Sequence, residues 1–83
     1  MSTLTDLPNI GKVLERHLNQ IGVTTREQLE DMGSKEAFLR IRLHDSGACL
    51  RVLYALEGAI QGMPDTRLEQ STKQDLKQFY KHL

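Results

Sequence analysis

Along this chain, short runs of apolar residues at helical spacing alternate with brief breaks rich in Gly, Asn, Asp, Ser and Pro. Ile10, Val13, Leu14, Leu18 and Ile21 recur three and four apart, which predicts a first helix starting at Ile10 and capped by Asn9. Gly22 sits just past its end, where a left-handed residue is wanted. Thr25 and Gln28 have the spacing of a capping box. The short helix they open presents Leu29 and Met32 and stops at Gly33. Beyond Ser34, the stripe Ala37, Phe38 and Ile41 predicts a third helix. His44-Asp45-Ser46-Gly47 breaks the pattern, with Asp45 the expected cap of the next helix.

The segment from Ala48 to Ile60 is the most apolar part of the chain. Cys49, Val52, Leu53, Leu56 and Ile60 form one stripe, which Leu50, Tyr54, Ala55 and Ala59 widen. A helix apolar on most sides is a buried one, so this is the expected central helix, with Cys49 a buried, inert thiol. Gly58 inside it costs about 1 kcal/mol against Ala. The expected return is close packing of another helix across a surface kept small by Ala55, Ala59 and Gly62. Gly62-Met63-Pro64-Asp65 ends the segment. Leu68, Leu76, Phe79, Tyr80 and Leu83 mark a last amphipathic helix, whose solvated side carries Lys73, Lys77 and Lys81. No alternating strand pattern competes. The fold class expected is all-α, a compact bundle of about five short helices of the helix-hairpin-helix or SAM-like kind, with residues 1–83 forming one domain.

Charge changes the picture more than composition does. The chain has 83 residues, with 11 basic and 11 acidic, and the two signs are balanced in each half. A protein that holds DNA mainly by releasing counterions carries a basic excess, so this balance argues against tight autonomous DNA binding. A single cysteine excludes an internal disulfide framework and fits a reducing cytoplasm. The start of the chain, Met1 to Asp6, lacks the basic and apolar regions of a signal peptide. No apolar run is long enough to span a membrane. His17, His44 and His82 are scattered without second ligands, which predicts no metal site, and no cofactor motif or catalytic triad occurs. A catalytic role is therefore not expected.

The segment with candidate chemistry is Leu7-Pro8-Asn9-Ile10-Gly11-Lys12. It has the shape of a helix–hairpin–helix loop, with Asn-Ile-Gly replacing the customary Gly-x-Gly. Glycine lets the main chain approach a phosphate, and the following helix aims N–H groups and partial positive charge at it. Lys12 would add a point charge. Pro8, Asn9, Ile10, Gly11 and Lys12 are thus the candidate nucleic-acid-binding residues, set against a plain tight connection between packed helices. Asn9 tolerates left-handed geometry, but its side chain could instead cap the helix and occupy the phosphate position. A similar phrase, Leu29-Glu30-Asp31-Met32-Gly33, carries two acids where a phosphate would sit and is read as structural.

That hairpin, together with Ile21-Gly22, the stretch Gly33 to Arg40, Gly47-Ala48-Cys49-Leu50 and above all Leu53-Tyr54-Ala55-Leu56-Glu57-Gly58-Ala59-Ile60-Gln61-Gly62, resembles the C-terminal domain of the TfoX family of competence regulators. The resemblance runs from about Leu4 to Tyr80. It implies a role in transcriptional regulation, beside the cAMP receptor protein at promoters of DNA-uptake genes. It supplies no catalytic residues. Members of the family place a separate N-terminal domain before this one. Two readings stand. One is a module that touches the backbone of double-stranded DNA through the hairpin. The other is a protein-interaction module that docks on a transcription regulator, a TfoX N-terminal domain or itself.

Overall fold

The computed structural model describes residues 4–83, so the chain start at Met1, Ser2 and Thr3, part of the stretch read for a leader, lies outside the described residues. Five α-helices follow one another: α1 (Lys12–Gln20), α2 (Arg26–Met32), α3 (Ser34–His44), α4 (Leu50–Gln61) and α5 (Gln70–Lys81). Short 3-10 turns at Leu4–Asp6 and Asp65–Arg67 precede α1 and α5, and no strand occurs among the described residues. The all-α expectation is met.

Local punctuation accounts for most boundaries. Gly22 follows α1 at φ 87°, a backbone region that L side chains avoid. The Thr25 hydroxyl accepts from the Gln28 N–H at 3.2 Å, and the Gln28 side chain accepts from the Thr25 N–H at 3.2 Å, closing the capping box of α2. Thr25→Ala is expected to lower stability by about 1 kcal/mol in urea titration; an unchanged midpoint would contradict that role. Gly33, at φ 85°, is the single residue between α2 and α3. Gly62 ends α4 in the left-handed region at φ 77°.

Helix α4 is the hub and packs against α2, α3 and α5. Leu53, Leu56 and Ala59 are fully buried, as are Phe38 of α3, Leu18 of α1 and Leu29 of α2. The Phe38 and Tyr80 rings meet tilted, centroids 5.9 Å apart, and tie α5 to α3. The Tyr54 hydroxyl donates to the Lys73 carbonyl at 3.3 Å, and the buried Ser34 hydroxyl donates to Glu57 at 2.6 Å. Both polar groups therefore meet the core with a partner in place.

Five sequence expectations are corrected. Helix α1 begins at Lys12 with Gly11 as its cap residue, so Asn9 does not cap it and Ile10 precedes it as a buried anchor. Val13, expected on the buried stripe, is 69% exposed. Helix α4 begins at Leu50 with Cys49 in the cap position. Asp45 instead accepts from the Gly47 N–H at 3.0 Å, holding a turn in the connection. Cys49 is exposed, because the extended residue before a helix does not follow the helix's stripe. In α5, Lys73 lies half-buried with its ammonium 3.5 Å from the Thr66 carbonyl, so the solvated stripe reduces to Lys77 and Lys81.

Candidate functional site

Pro8, Asn9, Ile10, Gly11 and Lys12 fall into two groups with different tasks. The first group is engaged with the rest of the molecule, although Asn9 itself is exposed. Ile10 is buried and Pro8 is half-buried. Asn9 adopts φ 71°, so the left-handed turn does survive the replacement of glycine. Its side-chain amide nitrogen donates to the Met63 carbonyl at 3.0 Å and approaches the Ala55 carbonyl at 3.4 Å. Its amide oxygen accepts from the Asp65 N–H at 3.1 Å. Asn9 thus ties the turn before α1 to both the body and the end of α4, and its polar atoms are engaged there.

This contact also explains Gly58, and it corrects the expectation that another helix crosses that glycine. A Cβ built on Gly58 would stand 2.5 Å from the Asn9 amide nitrogen, 2.8 Å from the Met63 carbonyl oxygen and 3.3 Å from the Asp65 Cα. The close approach is made by the Asn9 side chain and the turn after α4.

The second group is Gly11 and Lys12, both exposed. Gly11 has φ −96° and ψ −175°, which any residue can adopt, and a Cβ there would meet no other group within 4 Å. Its contribution is open space at the start of α1. No side chain caps α1, and none caps α4. The first N–H groups of a helix lack intrahelical acceptors, and the end carries partial positive charge.

The two uncapped ends open on one recess of about 470 Å³. Leu14, Ile41, Ala48, Val52 and Ala55 contribute its apolar lining, while Lys12 and Arg51 border it. No ion pair among the described residues involves Lys12, Arg16 or Arg51. Asp45 also lines the recess, with one carboxylate oxygen on the Gly47 N–H and the other 3.6 Å from His17 Nε2. The other ring nitrogen, His17 Nδ1, is buried without a hydrogen-bond partner. Sequence reasoning missed Cys49, Arg51 and Val13 as neighbours of the hairpin. Only for Val13 was a signal present: at about 100° per residue it stands roughly 100° away from the Leu14, Leu18 and Ile21 stripe.

The described residues contain no group of three or more His, Cys, Asp or Glu arranged to hold a metal ion. No helix among them is long and apolar enough to cross a membrane. What the recess offers is contact: apolar floor, two cationic rims and backbone donors.

Comparison with known proteins gives this architecture a context. The TfoX C-terminal domain family matches residues 1–80. Protein Sxy of Escherichia coli (strain K12) is 34% identical over 76 residues, covering 92% of this chain and 36% of that protein. DNA transformation protein TfoX of Haemophilus influenzae is 32% identical over 76 residues, covering 92% of this chain and 35% of that protein. The chain therefore spans about a third of the length of these curated relatives. Among solved structures, an uncharacterized protein from Listeria monocytogenes in a triclinic crystal form superposes with a TM-score of 0.96 at 51% identity, covering 98% of this chain and 92% of that one. A tetragonal form of a Listeria monocytogenes protein of unknown function gives 0.93 at 52% identity, covering 95% of this chain and 96% of that one.

Proposed function

Because the chain belongs to the TfoX C-terminal domain family, we propose that it is a non-enzymatic, cytoplasmic regulatory module that works by docking on a protein through the recess between α1 and α4. The observation that carries this reading is the recess itself. Its lining sets half-buried Leu14 and Val52 beside a Val13 side chain that is 69% exposed, with buried Ile41, Ala48 and Ala55 beneath them, in a chain whose net charge is zero. An exposed apolar side chain at the mouth of a cleft with an apolar lining and a polar rim suits a protein contact. The partner classes that fit are a transcription regulator, the remaining part of a longer family member, and a second copy of this chain. The relatives' association with competence supports a regulatory setting in DNA uptake.

A second reading keeps the hairpin as a contact to duplex DNA. It is favoured by the uncapped start of α1 beside Gly11 and Lys12, which suits a backbone phosphate. The two readings separate by fluorescence anisotropy of labelled duplex at low and at physiological salt, with Gly11→Glu beside the parent. The docking reading expects no duplex binding at physiological salt and no effect of Gly11→Glu on any residual signal. Steeply salt-dependent binding that a folded Gly11→Glu variant loses would replace it with the DNA reading.

A further inference from the structure

We propose that the occupant of the α1–α4 recess is an acidic peptide segment with an apolar anchor, presented by the partner protein. This rests on the docking reading and adds the chemistry of the partner. The recess is in the size range of ligand clefts, about 300–1,000 Å³. Its floor is apolar: half-buried Leu14 and Val52 lie over buried Ile41, Ala48 and Ala55, so an apolar side chain seated there leaves water for an apolar contact. Its rim has the opposite character. Among the described residues Lys12 and Arg51 are exposed and in no ion pair, and the same holds for Arg16, one turn after Lys12. Several cations elsewhere are already neutralised: Arg26 by Glu30, Lys35 by Asp75 and Arg40 by Glu36. The lining acid, Asp45, is turned to its own loop and to His17. The free ends of α1 and α4 add partial positive charge on the same side. An apolar anchor with flanking carboxylates complements both features at once. A duplex backbone matches the rim but brings nothing for the floor.

The test is heteronuclear NMR of the labelled chain titrated with a short synthetic peptide of Glu and Asp flanking a central Leu-Leu-Phe. The comparison probes are the same peptide with Lys in place of the acids, the acidic peptide without its apolar centre, and a short DNA duplex. The expected result is shifts confined to the amides of Lys12, Val13, Arg51 and Val52. Binding should be weaker for both altered peptides and fall about tenfold in the Lys12→Glu, Arg51→Glu double variant. These substitutions place carboxylates in the first turns of α1 and α4, where they favour the helix, so lost binding would not report unfolding. A lysine peptide that binds as tightly, an absence of shifts at these amides, or a duplex that alone moves them would each overturn the proposal. Should the acidic peptide fail while Val13→Glu still abolishes regulatory output in cells, the acidic chemistry is wrong and the docking surface stands. Should both fail, the recess is not the working surface.

Discussion

Replacing Gly58 with leucine is expected to lower the unfolding free energy by about 3 kcal/mol or more, and the thermal midpoint by roughly 10–20 °C. Helix propensity alone predicts the opposite sign, since a residue with a side chain gains up to about 1 kcal/mol over glycine in a helix interior. Space decides. The first carbon of any side chain at this position lies 2.8 Å from the Met63 carbonyl oxygen and 2.5 Å from the Asn9 amide nitrogen. The Asn9 side chain could move aside at the cost of its hydrogen bonds. The Met63 backbone is harder to shift, because its N–H donates to the Gly58 carbonyl at 2.9 Å and Gly62 fixes the turn before it. Gly58→Ala should therefore also destabilise, by about 1–2 kcal/mol. For a domain this small either loss is a large share of the total. Urea and thermal unfolding measure it, and a Gly58→Leu variant as stable as the parent would refute the packing account.

Asn9→Ala carries the second large effect, about 3 kcal/mol of destabilisation. Alanine at φ 71° costs about 1–2 kcal/mol in left-handed backbone energy. Deleting the side chain removes the donor to the Met63 carbonyl and the acceptor for the Asp65 N–H, each bond worth about 0.5–1.5 kcal/mol. Asn9→Gly separates the two terms, since glycine accepts the backbone angle and loses only the bonds; about 1–2 kcal/mol is expected. Asn9 and Gly58 should also be coupled. Removing the amide relieves the 2.5 Å contact, so Gly58→Ala in the Asn9→Gly background should cost about 1 kcal/mol less than in the parent. Strict additivity would mean that the two residues do not share the contact.

These two residues also mark how far the sequence could be read. Local rules worked where neighbours in the chain decide the outcome. Gly22 and Gly62 ended helices, Thr25 and Gln28 closed a capping box, and the apolar breadth of the α4 segment announced a central helix. Asn9 was recognisable as a residue able to turn left-handed, but its partners lie 46, 54 and 56 positions away. No spacing rule connects it to Gly58. Two plausible local assignments for Asn9 and Asp45 failed because each side chain had a better acceptor or donor outside the helix start. Cys49 was placed on a stripe that begins only after it. The candidate site was legible in half: Gly11 and Lys12 were visible as an open helix start, while Arg51 joins them only because the fold sets the starts of α1 and α4 on one recess.

The central claim is that this domain regulates by docking through the recess beneath Val13. Its most direct test is a count of DNA-uptake gene transcripts in cells lacking the protein, restored with the parent, Val13→Glu or Leu43→Glu. Both side chains are exposed, Val13 at the recess and Leu43, 84% exposed, away from it, so both variants should fold as the parent does. The account predicts that the parent and Leu43→Glu restore the transcripts and Val13→Glu does not. Full restoration by Val13→Glu, or transcripts that never depended on the protein, would contradict it.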